Sequence, residues 1–174
     1  MVDLKSIIRS VPDFPKKGIV FRDITTLLAN AGAMRETADG MAERFRAAGV
    51  DVVVGIEARG FIFGALVAER LGVGFAPVRK AGKLPYRTVY ETYELEYGTD
   101  RVEMHTDAVR RGQRVLVVDD LLATGGTAGA CCRLVEKLGG VVVGCAFVIE
   151  LGFLRGRERL KGREVLTLVN YEAE

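Results

Sequence analysis

Two runs of consecutive apolar, largely β-branched residues constrain this chain most: Val52-Val53-Val54-Gly55-Ile56 and Val115-Leu116-Val117-Val118. A strand with one wet face alternates apolar and polar side chains. A strand that is apolar at successive positions is buried on both faces, the condition of a parallel sheet covered by helices. The surrounding segments fit that reading. Residues 33–48 carry Met34, Ala38, Met41 and Phe45 at helical spacing with Gly49 as a stop, and a second helix is expected over 60–71, ending at Gly72. Further strands are expected near 73–78, 141–149 and 164–169, with a helix near 127–138. This alternation predicts an α/β fold, an open, mainly parallel sheet flanked by helices, with ligands at the carboxyl ends of the strands.

At each end of this pattern the sequence is less regular. Leu4, Ile7, Ile8 and Val11 follow helical spacing, so a short amphipathic helix is expected before Pro12 and Pro15. Residues 79–106 are the one long irregular region, and a region of that length calls for a functional explanation. The tyrosines at 86, 90, 93 and 97 fall at helical spacing, but Tyr93, Leu95 and Tyr97 alternate with Glu94 and Glu96, and Pro85 opposes a continuous helix, which favours a short strand or hairpin. No repeat, low-complexity tract or linker divides the chain, and 174 residues suit a single domain over 1–174.

Composition excludes several classes. The longest apolar run, Val141 to Ile149, is interrupted by Gly144 and falls short of the roughly 20 residues of a spanning helix, so no membrane partner is expected. The N-terminus lacks a secretory pattern, so a cytoplasmic location is expected. A net charge of +2 gives no case for nucleic acid. Cys131, Cys132 and Cys145 match neither a disulfide framework nor zinc spacing and read as reduced packing residues. His105 is the only histidine, so a histidine-rich metal site is excluded.

The stretch from Val115 to Thr127 carries the most chemistry. It reads as strand, acidic pair (Asp119-Asp120), glycine turn and helix. Two carboxylates cannot enter an apolar core cheaply, so they must emerge at the sheet's open edge, and adjacent strand positions should aim them differently. Ala123, Thr124, Gly125, Gly126 and Thr127 then offer backbone N–H groups at a helix start, a cradle for phosphate. It is not a Walker A loop, since no Gly-x₄-Gly-Lys-Ser/Thr is present, and the dinucleotide fingerprint fails where Pro77 replaces the third glycine. Carboxylates directly before a phosphate cradle suit a sugar phosphate.

This stretch resembles the phosphoribosyl pyrophosphate (PRPP) motif of the type I phosphoribosyltransferases along its whole length, and Gly18-Ile19-Val20-Phe21-Arg22-Asp23-Ile24-Thr25 resembles the purine-binding segment of the adenine phosphoribosyltransferases. The resemblance implies the type I phosphoribosyltransferase fold, with a small hood from the N-terminal segment and a flexible lid loop. It implies that Val20 and Arg22 present backbone groups to adenine, that Phe21 stacks on the ring and that Leu151 lies on the other side. Stacking suits a flat purine.

Glu57-Ala58-Arg59-Gly60 resembles the family's pyrophosphate loop, with Asp-Ser in some members where this chain has Glu57-Ala58. That difference leaves contacts from those two side chains open, while Arg59 keeps its implied role. Residues 79–98 resemble the family's mobile catalytic loop, which implies pyrophosphate contacts for Lys80 and Lys83 and a catalytic carboxylate at Glu96. With Glu96, the resemblance implies catalytic parts for Arg59, Asp119 and Asp120. Mg²⁺ is the implied cofactor, held mainly through PRPP with no direct protein ligand, and the small-molecule partners are adenine and PRPP. A homodimer with the Arg59 region near its interface is implied. Transfer to another base and PRPP sensing without catalysis are the alternatives, and the hood segment and the absence of a DNA-reading module weigh against them.

Overall fold

The computed structural model describes residues 3–94 and 98–173. A short first helix α1 (Leu4–Ile7) leads to β1 (Arg9–Val11), which pairs antiparallel with β2 (Phe21–Asp23). Next come α2 (Thr25–Leu28), α3 (Ala31–Phe45), β3 (Val52–Ile56), α4 (Gly60–Leu71), β4 (Gly74–Lys80), β5 (Thr88–Glu94) and β6 (Thr99–His105). The chain continues with β7 (Arg114–Leu122), α5 (Gly126–Lys137), β8 (Val141–Leu151) and β9 (Val165–Tyr171). The main sheet has the order β5-β6-β4-β3-β7-β8-β9. Neighbours from β4 to β9 are parallel, and the β5–β6 hairpin joins antiparallel through β6.

The two apolar runs become the central strands, and their residues alternate between two cores. Val52, Val54, Ile56, Val115 and Val117 pack with Ala130, Cys131, Leu134 and Val135 of α5. Val53, Leu116 and Val118 pack on the other face with Met41 and Phe45 of α3 and Phe63 and Val67 of α4. Burial on both faces explains why apolar side chains occupy successive positions. Gly144 is required by this packing, because a Cβ there would overlap the fully buried Phe45 ring. All three cysteines are free and buried, with the sulfurs of Cys132 and Cys145 3.6 Å apart.

Helix ends follow the punctuation. Gly49 and Gly72 have φ of 62° and 68° and stand directly after the two helical segments, where a left-handed residue closes the last turn. Two expectations need correction. The N-terminal helix stops at Ile7, because Arg9–Val11 finds backbone partners in Phe21–Asp23 and becomes the first strand of the hood. Residues 79–106 are largely ordered sheet rather than irregular chain: β4 runs to Lys80, and the β-branched and aromatic residues Thr88–Tyr93 pair with Asp100–His105. Residues 95–97, Glu96 among them, lie outside the described residues.

Parallel register sets the site. Ile56 stands beside Val78, and Gly55 beside both Pro77 and Val118, so the pairing of β3 with β4 and with β7 ends at one level. Glu57 and Arg59 after β3, Arg79 and Lys80 at the end of β4, and Asp119 and Asp120 of β7 gather at that level.

Candidate active site

A cleft of about 240 Å³ opens at these strand ends. Ile56, Val78, Val102 and Leu122 give it an apolar floor, and Glu57, Arg59, Lys80, Tyr93, Asp119, Asp120 and the turn from Ala123 to Thr127 supply its polar groups. The two helices that start here have no side-chain cap. Helix α5 begins behind Gly125 and α4 behind Arg59, neither with a capping side chain nor with an acid in its first turn. Helix α3, by contrast, is capped by Asn30, whose Oδ1 accepts the Ala33 N–H at 3.0 Å. An uncapped helix start carries the positive end of the helix dipole, so both starts favour an anion, although at α4 the Phe61 and Ile62 N–H groups already donate to the Ala58 and Arg59 carbonyls at 3.2 Å.

Close approach at both starts depends on glycine. A Cβ on Gly60 would lie 2.7 Å from Asp119 Oδ1, so α4 can abut the acidic pair only without a side chain. Gly125 adopts φ of 78°, and a Cβ there would overlap the Gly156 carbonyl, while one on Gly156 would overlap the Ala123 carbonyl. Gly156, in the 3-10 turn Gly156–Leu160, therefore supports the Ala123–Thr127 turn from behind. Sequence reasoning missed it, because a lone glycine far along the chain carries no local signal.

The acids are answered differently. Asp120 is buried and forms an ion pair with Arg59 Nε, tying β7 to the start of α4. Asp119 is partly buried, and Asp120 donates its own N–H to Asp119 Oδ1 at 2.8 Å. Burial first, then the neighbouring Asp120 carboxylate, pushes Asp119 well above the usual carboxylate range.

Glu57, whose contacts the sequence left open, is a hub. Its side chain is only 11% exposed, and it accepts from Arg79 Nη2 at 2.9 Å, Lys83 Nζ at 2.8 Å and the Lys80 N–H at 3.0 Å. The Arg79 hydrogen bond leads the effects that bring the Glu57 pKa down to about 2. Arg79 also donates to the Lys83 carbonyl at 3.2 Å, so residues 79–83 are folded around one carboxylate.

Of the residues expected to act, Arg59, Lys80, Asp119, Asp120 and Ala123 through Thr127 line the cleft together. Lys83 reaches it only through Glu57. Among the described residues, Val20, Phe21, Arg22 and Leu151 are not part of the lining. Phe21 nevertheless lies near it, with the Arg59 guanidinium 5.8 Å from its ring and Phe14 packed edge-on at 5.2 Å. The Arg22 side chain is turned away, 3.9 Å over the Tyr171 ring and donating to Ser10 Oγ at 2.6 Å, which leaves its backbone in β2 to face other groups. Tyr171 in turn pairs with Leu151 across β8–β9, so strand pairing and stacking connect the hood to Leu151.

Comparison with known proteins gives the family. The phosphoribosyl transferase domain model matches residues 23–169. An adenine phosphoribosyltransferase of Thermotoga petrophila is 61% identical over 170 residues, covering 98% of this chain and 100% of the relative. The chain belongs to the adenine phosphoribosyltransferase family. The crystal structure of the Thermoanaerobacter pseudethanolicus family member superposes with a TM-score of 0.94 at 53% identity, covering 97% of this chain and 98% of that one. The Saccharomyces cerevisiae enzyme, solved with an imino-altritol bisphosphate and adenine, gives a TM-score of 0.91 at 43% identity, covering 95% and 96%. Membership makes this chain an enzyme of the glycosyltransferase type with the type I phosphoribosyltransferase fold.

The Glu57 hub makes a prediction within this family frame. Its pKa is depressed on folding, from an ordinary value of 4.5 to about 2, so its contribution is present above about pH 4.5 and lost as pH falls toward 2. Urea unfolding of Glu57→Gln should show a loss of about 2 kcal/mol against the unsubstituted protein at pH 7, and the gap should narrow between pH 4.5 and 2. A gap that does not change with pH contradicts the hub.

Proposed function

We propose that this enzyme transfers the phosphoribosyl group of PRPP to adenine, giving AMP and pyrophosphate, with the two ends of PRPP held at the two uncapped helix starts. The observation that carries the reading is that both starts meet the Asp119–Asp120 pair in one cleft. Two anion sites around a carboxylate pair suit a molecule with phosphate at one end, ribose hydroxyls between and pyrophosphate at the other.

In this reading the amides and hydroxyls of Thr124–Thr127 hold the 5′-phosphate, and Asp119 and Asp120 accept from the ribose hydroxyls. Arg59, Lys80 and Lys83 hold pyrophosphate. The bond from ribose C1 to the pyrophosphate oxygen breaks with its electron pair leaving on oxygen, and adenine N9 bonds to C1 from the opposite face. Positive charge on the sugar is favoured by the acidic pair, and negative charge on the leaving group by the cations, so the catalysis is largely electrostatic. Glu96 takes the proton that N9 loses. Phe21 and Leu151 enclose the base, and backbone groups of Val20 and Arg22 read its edge in a pattern that mispairs with a 6-oxo purine.

The donor set suits magnesium carried in by the substrate. Among the described residues no three or more carboxylate, histidine or cysteine side chains converge on one point, and Asp120 already holds Arg59. The ion would keep PRPP oxygens and water as its main ligands and supply charge neutralisation at the pyrophosphate.

The whole chain, 1–174, acts in this reading as one phosphoribosyltransferase domain. A homodimer joined through α4 is part of the proposal, supported by Ile62, 38% exposed, and by the partly covered Phe61 and Leu66 just beyond Arg59. Free cysteines suit the cytoplasm, and among the described residues no helix is long and apolar enough to cross a membrane.

Purified protein supplied with Mg²⁺, PRPP and one base at a time should form AMP from adenine and no nucleotide from hypoxanthine, guanine or orotate. Product from another base overturns the reading of the hood, and PRPP binding without any product favours a sensor. In the same assay Glu96→Gln should lower kcat about a hundredfold or more with AMP affinity retained, and wild-type turnover would refute the base assignment.

A further inference from the structure

The cleft's cations are already occupied by the protein's own carboxylates. Arg59 pairs with Asp120, Lys83 with Glu57, and Lys80 with Asp100 on the hairpin. The last pair is distinctive, because Asp100 does not line the cleft whereas Lys80 does.

Register explains how they meet. Lys80 is opposite Val102 across β4–β6, and Asp100 lies two residues before Val102, so both side chains stand on the same face of the sheet. Lys80 Nζ is 3.0 Å from Asp100 Oδ2, and the same oxygen accepts the Tyr93 hydroxyl at 3.1 Å. Asp100 Oδ1 accepts the Arg101 N–H at 2.8 Å. Tyr93 is buried, faces Asp100 across β5–β6 and lines the cleft together with the phosphate turn. The carboxylate is thus fixed from two sides, while Lys80, 59% exposed, is held on a long stem with Asp100 as its one side-chain ion-pair partner among the described residues. A fixed anion and a cation on a flexible stem form a pair that a stronger anion can open from the cation's side.

We propose that Asp100 is a positioning residue for the transfer reaction, holding Lys80 beside the cleft in the free enzyme and yielding it to the pyrophosphate end of PRPP. The proposal rests on the reading of Lys80 as a pyrophosphate ligand. The Asp100 hydrogen bond and charge raise the Lys80 pKa, so the ammonium is fully charged when the exchange occurs. Because the Asp100 contact must be given up on binding, it weakens pyrophosphate affinity by the strength of a half-exposed ion pair. Glu57 is less suited to such an exchange, because its carboxylate also holds Arg79 and the Lys80 N–H.

The test is calorimetric titration of inorganic pyrophosphate with Mg²⁺ into the full-length enzyme and its Asp100→Asn, Lys80→Ala and doubly substituted forms. Asp100→Asn keeps an acceptor for Tyr93 and removes the charge. It should bind pyrophosphate about two- to five-fold tighter and lower the KM for PRPP by a similar factor with little change in kcat. Asp100→Ser, read in the same way, covers the case in which the amide disturbs the hairpin, and thermal melting checks the fold of each variant. Lys80→Ala should bind more weakly, and adding Asp100→Asn to it should give no gain. Unchanged or weaker binding by both Asp100 variants overturns the proposal, and so does an equal gain in the Lys80→Ala background, which would reflect the general field of a removed charge. If Lys80→Ala binds pyrophosphate as the unsubstituted enzyme does, the reading of Lys80 itself fails and the proposal falls with it.

Discussion

An apolar strand that runs into two carboxylates creates the problem that the rest of this site resolves. Val115–Val118 is buried on both faces, and the chain then places Asp119 and Asp120 just past the point where β7 stops pairing with β3. Desolvating either charge without a partner would cost several kcal/mol. Arg59 answers Asp120 from the start of α4, and Gly60 lets that helix come close enough to lie against Asp119. The ion pair therefore does more than neutralise charge. It fixes the separation between the segments that follow β3 and β7, and with it the relative position of two uncapped helix starts.

The same logic extends outward from the acidic pair. Each cation that enters the cleft's surroundings meets a carboxylate held by backbone geometry: Glu57 after β3, Asp120 on β7 and Asp100 on the hairpin. Arg59, Lys80 and Lys83 are thus each paired with an internal carboxylate. Binding a highly charged anion then becomes an exchange of partners at positions already set, with little need to build a cluster of unpaired cations that would repel one another. Preorganisation of this kind is what an electrostatic mechanism requires, since groups already in place need not be rearranged as charge develops.

Much of this was legible in the sequence because it depends on local pattern. Doubly buried strands show as unbroken apolar runs, helix ends show as Gly49 and Gly72, and the phosphate turn shows as an acidic pair followed by small residues. The less legible parts depend on partners distant in the chain. Arg9–Val11 has helical spacing and becomes a strand because Phe21–Asp23 offers it hydrogen bonds. Glu57 looked like a departure from a motif, and its importance lies in Arg79 and Lys83, which arrive from the next strand and turn. Asp100, Tyr93 and Gly156 acquire their roles only from register and from close backbone approach, and neither has a signature in composition or periodicity. Glu96 stands apart, since its role follows from family resemblance and it lies outside the described residues.

The account turns on the two helix starts holding opposite ends of one substrate, and a crystal structure of the enzyme with Mg²⁺ and PRPP tests this most directly. It should show the 5′-phosphate on the amides of Thr124–Thr127, the ribose hydroxyls on Asp119 and Asp120, and the pyrophosphate beside Arg59 and Lys80. PRPP bound with its ends reversed, or away from the starts of α4 and α5, would contradict the account.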